Sequence, residues 1–402
     1  MKRIVVVGAG LAGLRATEAL RKLGFDGAIT MVGAEEAGPY DRPPLSKQVL
    51  TGEKDPAKTA YRSAAHYAEL AVELRLGRSV TELDLRSRTV RTGDDDLPFD
   101  GLIVATGSAA RRLTLRGEPS DVPVLRTLGD ARVLRDALAG SRHLVVIGAG
   151  FIGSEVASSA RALGLEVTVV EAAAVPLTRV VGEQIGEICA ALHRENGTRL
   201  ICGAQVCAID REPGSRRVRL ADGRVIEGDL VVAGIGSVPE TGWLAAAGLS
   251  ATDGIACDEF LNVGHPAVYA AGDVARWWNP LFGIAMRTEQ WTNAVEQGRR
   301  AAANLLAGPG NGQPYAGSNY FWSDQYGVRI QFAGVTEADE VRIVHGAAAD
   351  FRFLAYYRRG DRLVGAFAMD LPLPLVRSKL LIERAAGWDE ALALVKEGEI
   401  VA

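Results

Sequence analysis

The feature that most constrains this chain is an internal repeat. Ile4-Val5-Val6-Val7-Gly8-Ala9-Gly10-Leu11-Ala12-Gly13 recurs as Leu144-Val145-Val146-Ile147-Gly148-Ala149-Gly150-Phe151-Ile152-Gly153. In each copy a four-residue apolar run reads as a buried parallel strand, and the residues beyond the third glycine carry helical periodicity. A Gly-x-Gly-x-x-Gly alone is weak evidence, but a strand before it and a helix after it give it meaning. The glycines permit a tight turn and bring a pyrophosphate close to backbone N–H groups at a helix N-terminus, where the helix dipole favours negative charge. A second likeness pairs Phe99-Asp100-Gly101-Leu102-Ile103-Val104-Ala105-Thr106-Gly107-Ser108 with Gly228-Asp229-Leu230-Val231-Val232-Ala233-Gly234-Ile235-Gly236-Ser237. The chain therefore reads as two dinucleotide-binding units.

The segment Arg111 to Pro123, with Gly117, Pro119 and Ser120, reads as the crossing between the units, and a return crossing falls near Val238-Pro239-Glu240. Ala267-Val268-Tyr269-Ala270-Ala271 looks like another buried strand, and a helical pattern from Thr292 to Leu306 stops at Gly308-Pro309-Gly310. From Ser318 the texture changes to alternating strands, Val328 to Phe332 and Phe351 to Tyr356, with a hairpin turn at Arg359-Gly360-Asp361 and a largely helical stretch from Val376 to Val395. The expected fold class is α/β: two Rossmann-like dinucleotide-binding domains plus a C-terminal α+β domain. The expected boundaries are 1–110 with 240–317 for the first dinucleotide-binding domain, 111–239 for the second and 318–402 for the third.

Composition narrows the function. At 48% hydrophobic and 23% charged the chain is close to globular averages, so it should fold throughout. A formal net charge of −4 gives no global reason to bind nucleic acid or an anionic membrane. Cys189, Cys202, Cys207 and Cys257 are scattered, which suggests neither a disulfide framework nor a zinc site. Cys202 and Cys207 read as packing residues of one strand region. The five histidines do not cluster, so neither a metal site nor a Ser–His–Asp constellation is expected. The apolar run after Met1-Lys2-Arg3 is too short for a secretory core and too interrupted for a membrane span, and a cytoplasmic location is expected.

The second copy continues through Val167-Thr168-Val169-Val170 to Glu171, 18 positions past Gly153. A carboxylate there accepts hydrogen bonds from a ribose diol and repels a 2′-phosphate, which favours NADH over NADPH. Arg179, nearby, is read as a solvated loop residue. In the first copy Glu35 and Glu36 follow the equivalent strand, and either can take the adenosine ribose. Two dinucleotide sites in one chain point to a flavin in one and a nicotinamide in the other, with hydride passing between them.

The chain resembles the two-dinucleotide-domain flavoproteins of the glutathione reductase superfamily over nearly its full length. Disulfide reductases of that group carry a redox-active cysteine pair in the region that here reads Pro39-Tyr40-Asp41-Arg42-Pro43-Pro44-Leu45-Ser46-Lys47, without cysteine. That stretch, together with Tyr320-Phe321-Trp322-Ser323-Asp324-Gln325, is similar to the oxygenase-coupled, FAD-dependent NAD(P)H:ferredoxin reductases, the putidaredoxin reductase-like proteins and the reductase components of aromatic-ring dioxygenases. The resemblance implies FAD in the first of the two domains, which makes it the FAD-binding domain, NADH in the second, the NAD-binding domain, and a small [2Fe–2S] ferredoxin that supplies a cytochrome P450 or a Rieske oxygenase. NADH would deliver hydride to the flavin, which would pass single electrons onward.

By the same resemblance Gly8, Gly10, Ala12 and Gly13 lie at the FAD pyrophosphate, with Ala105 and Gly107 beside them. Arg42 and Lys47 lie along the flavin, Val80 and Arg126 touch the cofactor, Asp273 binds the ribityl chain, and Trp291 offers its backbone N–H to the pyrimidine edge. Some relatives carry an acid where Ala34 stands, which moves the ribose contact to Glu35. Gly148, Gly150, Ile152, Gly153, Glu171 and Gly236 belong to the NAD site. Lys47 and Glu155, the latter assigned to the first turn of the NAD helix, are the expected catalytic pair, the ammonium favouring negative charge on reduced flavin. Trp322 is either a flavin-shielding aromatic or a core residue, and Trp277-Trp278 reads as an aromatic pair in a loop. Arg276, Arg287 and Arg329 are the expected steering charges for an acidic ferredoxin. Rubredoxin reductase, an NADH oxidase or peroxidase, and a flavoprotein resembling apoptosis-inducing factor remain alternatives, and the oligomeric state stays open.

Overall fold

The computed structural model describes every residue except Asp94, Arg116, Gly117, Ser250 and Ala402, and the side chains of Glu118 and Pro119. Gly117 of the expected crossing thus lies outside the described residues. The chain divides into two compact units: Met1–Asp41, Ala60–Ala109 and Val238–Asn319 form the first, and Arg42–Thr59, Ala110–Ser237 and Tyr320–Ala402 the second.

The first unit is built on a six-stranded sheet ordered Asn262–His265, Val268–Ala270, Gly101–Val104, Arg3–Val7, Ala28–Val32, Val72–Arg75. Its pairings are parallel apart from the Asn262–His265 edge. The run Ile4–Val7 is apolar throughout because both faces of the strand are buried. Ile4 and Val6 join Leu14, Ile29, Met31, Ile103 and Leu305 on one face. Val5 and Val7 join Val32, Leu83, Phe99, Leu102 and Leu244 on the other. The helices Leu11–Lys22 and Trp291–Ala307 pack together on the first of these faces.

Trp277 and Trp278 lie in a strand, Ala275–Asn279, rather than in a loop. Strand alternation explains the doublet: Trp277 is fully buried against Tyr315, and Trp278 faces out, 44% exposed. Two adjacent tryptophans hide the alternation from a periodicity argument, because apolarity does not change from one to the next.

The second unit has a four-stranded parallel sheet ordered Arg199–Ile201, Glu166–Val170, His143–Ile147, Leu230–Ala233. The helix Phe151–Ala162 follows the His143–Ile147 strand. The C-terminal part is a five-stranded antiparallel sheet ordered Phe321–Gln325, Val328–Gly334, Arg362–Met369, Arg352–Arg359, Glu340–Ala347, with two helices, Pro372–Glu383 and Trp388–Lys396. The stretch expected to be largely helical, Val376 to Val395, is covered by these two helices with a short break between them. Its connecting backbone is stitched to the neighbouring hairpin, Leu363 N–H to Ala386 carbonyl and Trp388 N–H to Asp361 carbonyl.

Cys202 and Cys207 do not share a strand: Cys202 follows Arg199–Ile201, and Cys207 is an exposed residue of Val206–Glu212. All four cysteines are free, and burial pushes the Cys189 thiol up to about 12. No described helix is long and apolar enough to cross a membrane.

One buried polar network ties the C-terminal sheet to the parallel-sheet region. His193, with no exposed surface, places Nδ1 2.8 Å from Tyr326 Oη and Nε2 3.1 Å from Ser154 Oγ, and Thr198 Oγ1 lies 2.9 Å from Tyr326 Oη. Burial and the neighbouring Arg194 charge lower the His193 pKa to about 4. The imidazole therefore stays neutral in the folded chain where it would take a proton in the unfolded one. As pH falls from about 6.5 towards 4 the unfolded state binds the extra proton, and this residue withdraws stability at roughly 1 kcal/mol per pH unit. His193→Gln should flatten that part of the stability–pH curve, as read by denaturant unfolding at stepped pH.

Candidate functional site

The two glycine turns share one backbone plan. Gly8 N–H donates to the Val32 carbonyl and Gly148 N–H to the Val170 carbonyl, each at 2.7 Å. A Cβ on Gly8 would lie 2.0 Å from the Ala105 carbonyl oxygen, and one on Gly148 2.4 Å from that of Gly234. A Cβ on Gly13 would lie 2.0 Å from the Gly8 carbonyl oxygen, and one on Gly153 at the same distance from that of Gly148. In both turns the first and third glycines are therefore required by packing against backbone. The middle glycines differ: Gly10 has no heavy atom within 4 Å of a Cβ position, and Gly150 only the Gly234 carbonyl oxygen at 3.8 Å.

That open space lies at the mouths of two helices, Leu11–Lys22 and Phe151–Ala162. Neither has a side-chain cap or an acidic residue in its first turn. Uncapped N–H groups with the positive end of a helix dipole and no competing carboxylate suit a pyrophosphate. Ala12 is buried in the first of these turns, and Ile152 stands 41% exposed in the second.

The carboxylates after each cradle are fixed by different means. Glu171 Oε2 accepts the Ala149 N–H at 2.6 Å and Oε1 the Ala173 N–H at 2.8 Å, so this side chain is bound directly to its own glycine turn. Each oxygen keeps a lone pair for a ribose hydroxyl. In the first unit Glu35 Oε2 accepts from Tyr40 Oη at 2.7 Å, whereas Glu36 is exposed. Glu35 is the one with a defined position.

Further along the first unit, Asp273 Oδ2 accepts from Ser108 Oγ at 3.1 Å, next to Gly107. Gly272 N–H donates to Gln297 Oε1 at 2.8 Å, which leaves Gln297 Nε2 buried and without a partner among the described residues, as is Gln290 Oε1. Trp291 opens its helix, and its indole Nε1 donates to Tyr61 Oη at 2.8 Å and Asp41 Oδ1 at 3.1 Å. Tyr61 in turn donates to Asp41 at 2.7 Å, and burial with that carboxylate raises the Tyr61 pKa. The tyrosine stays a donor and the Trp291 end of the helix stays fixed. Val80 is half-buried against the cluster of Val5, Val7 and Val32, on the sheet face away from the helices.

In the second unit Lys47 and Glu155 form an ion pair, Nζ to Oε2 at 2.7 Å, with side chains 13% and 5% exposed. Glu155 is the fifth residue of Phe151–Ala162 and so lies in its second turn, not its first. Two hydroxyls complete its shell: Ser46 Oγ at 2.5 Å from Oε2 and Ser323 Oγ at 2.6 Å from Oε1. Each serine stands inside one of the two family-like motifs, but nothing in their spacing says that they meet on one carboxylate. Arg42 Nη1 donates to the Arg126 carbonyl at 2.6 Å, and Arg111 N–H to the Gly236 carbonyl at 2.9 Å. Trp322 lies on the opposite face of its strand from buried Phe321 and Ser323 and stacks on Tyr320 at 6.2 Å.

The expectation of three steering arginines needs correction. Arg287 is 14% exposed and ion-paired to Asp253 and Glu289, and Arg329 is paired to Asp324. Local carboxylates cancel both charges. Arg276 alone of the three is exposed with no ion pair among the described residues.

The residues present thus fit two dinucleotides: each unit has an open cradle, an uncapped helix and a fixed carboxylate. The two kinds of glycine can be told apart by mutation. Gly150→Val should leave the fold and bound flavin intact and weaken NADH binding at least about tenfold, roughly 1.4 kcal/mol. Gly153→Val should instead destabilise the chain by more than about 2 kcal/mol, because its Cβ meets backbone. Circular dichroism, denaturant unfolding and NADH titration separate these outcomes.

Residues 2–298 match the pyridine nucleotide-disulphide oxidoreductase family, and residues 320–396 match the reductase C-terminal family. The chain is 38% identical to the ferredoxin–NAD(+) reductase component of the anthranilate 1,2-dioxygenase system of Burkholderia cepacia, over 95% of this chain and 94% of that one. It is 34% identical to putidaredoxin reductase of Pseudomonas putida, over 94% and 91%. Among solved structures, the covalent putidaredoxin reductase–putidaredoxin complex matches with a TM-score of 0.90 at 31% identity, covering 100% of this chain and 99% of that one. The water-forming NADH oxidase of Lactobacillus brevis, at 21% identity and a TM-score of 0.88, shares the fold over 97% and 92%. With two glycine cradles, no cysteine between Pro39 and Lys47 and these matches along its length, the chain belongs to the pyridine nucleotide-disulphide oxidoreductase family, in the branch that carries the reductase C-terminal domain.

Proposed function

We infer that this chain is an NADH-dependent ferredoxin reductase carrying FAD in the first unit and binding NADH in the second. The observation that carries the reading is the pair of cradles of one geometry in one chain, since a protein with a single nicotinamide substrate needs only one. Relatives named as components of the anthranilate, biphenyl and chlorobenzene dioxygenase systems, and a solved ferredoxin reductase of a CYP199A2 system, support a small [2Fe–2S] ferredoxin, feeding a cytochrome P450 or a Rieske oxygenase, as the electron acceptor. Four free cysteines are consistent with a cytoplasmic location.

Bound FAD supplies the hydride acceptance and the conversion of two-electron into one-electron transfer. In this reading the chain's residues do the binding and the electrostatics. Gly10 and Gly150 leave room for the two pyrophosphates, and the uncapped helix N-termini neutralise them. Glu35 and Glu171 take the adenosine riboses. Asp273 and the N–H of Trp291 hold the flavin, the latter on a helix end anchored by Asp41 and Tyr61. Lys47 and Glu155 set the charge at the hydride-delivery step, a role that the family resemblance assigns and their shielded, closely paired geometry supports.

Purified protein should be yellow, bleach at 450 nm on anaerobic mixing with NADH much faster than with NADPH, and be reoxidised by a [2Fe–2S] ferredoxin. A panel of [2Fe–2S] ferredoxins and a rubredoxin tests the acceptor. A reduced flavin that none of them reoxidises would overturn the reductase reading in favour of a binding role. Glu171→Gln should erode the preference for NADH by about 1–3 kcal/mol, the range for a lost charge-assisted hydrogen bond.

A further inference from the structure

The Glu155 carboxylate is held at both ends, and the donor on one end comes from the C-terminal domain. Lys47 and Ser46 both act on Oε2, while Oε1 is met by Ser323 at 2.6 Å. Ser323 is fully buried on the strand Phe321–Gln325, and its Oγ also takes a hydrogen bond from Gln325 Nε2 at 3.0 Å. A hydroxyl has one proton and an amide N–H can only donate, so the Ser323 proton must point at Glu155. The donor direction therefore runs one way, from Gln325 through Ser323 to Glu155.

We propose that Ser323 is a positioning residue for the Lys47–Glu155 pair, by which the reductase C-terminal domain fixes the orientation of the carboxylate. The proposal rests on the reductase reading. With Oε2 alone anchored, the carboxylate pivots about that oxygen and carries the Lys47 ammonium with it. With Oε1 also held, neither group has freedom to move. Other bonds hold the same segments together independently. Ser159 Oγ donates to the Ser46 carbonyl and Tyr326 N–H to Ser158 Oγ, each at 2.7 Å, and Phe321 packs edge-on to Phe151. Removing the Ser323 hydroxyl thus takes away a donor without undocking the strand.

The test is a double-mutant cycle of Ser323→Ala and Glu155→Gln, read by rapid anaerobic mixing with NADH and by denaturant unfolding of the FAD-loaded protein. Ser323→Ala should keep its FAD and its NADH dissociation constant and lower the limiting rate of bleaching at 450 nm about tenfold. In the Glu155→Gln background the same change should cost less than about twofold, and the two substitutions should be non-additive in the unfolding midpoint. Gln325→Leu, which frees the hydroxyl to rotate, should lower the rate in the same direction by a smaller factor. An unchanged rate in Ser323→Ala, or an equal loss in both backgrounds, would overturn the proposal and leave Ser323 a packing residue. Failure of NADH to bleach the wild type would overturn the reductase reading itself, and this proposal with it.

Discussion

A buried carboxylate cannot stand alone, and the second unit is arranged around that fact. Leaving an ionised glutamate in a water-poor interior without partners costs several kcal/mol, so Glu155 needs a countercharge and donors on both oxygens. Lys47 gives the charge, and Ser46 and Ser323 give the hydroxyls. These come from parts of the chain more than 250 residues apart (Ser46 to Ser323). Arg42–Thr59 leaves the sequence of the first unit to cluster with the second, and it brings the ammonium and one hydroxyl with it. That short segment and the C-terminal strand thus meet on one carboxylate, and separate contacts, Ser159 to the Ser46 carbonyl and Tyr326 to Ser158, hold them in place.

Dinucleotide binding rests on a separate constraint, the closeness of backbone to backbone. Gly8 and Gly13 touch carbonyls that no side chain could approach, as do Gly148 and Gly153. Once these contacts form, the next helix begins at an open turn, and its unsatisfied N–H groups face the space beside the middle glycine. The chain uses the device twice and varies the carboxylate that comes after the neighbouring strand. Glu171 is tied to backbone N–H groups of its own turn, whereas Glu35 is tied to the side chain of Tyr40.

The repeat was legible in the sequence because the cradle is local: ten consecutive residues contain strand, turn and helix start. The same locality made Glu171 and the helix Trp291–Ala307 readable. The shell of Glu155 was only half readable. Lys47 and Glu155 are suggested by their motifs, but the meeting of Ser46 and Ser323 on one carboxylate is a tertiary fact without a periodic trace. Arg287 looked free because Asp253, 34 residues earlier in the chain, carries no sign of pairing with it. The Trp277-Trp278 doublet was opaque for a simpler reason, since inward and outward positions hold the same residue type.

On the proposed function, hydride delivery from NADH depends on the Lys47–Glu155 pair. Its most direct measurement is the limiting rate of anaerobic flavin bleaching by NADH in Lys47→Ala, beside wild type at matched FAD content. The pyrophosphate cradles do not involve Lys47, so FAD should be retained while the rate falls by about tenfold or more, at least roughly 1.4 kcal/mol in the barrier. A variant that keeps FAD and is reduced at the wild-type rate would make the ion pair a purely structural element of the second unit, with no part in hydride delivery.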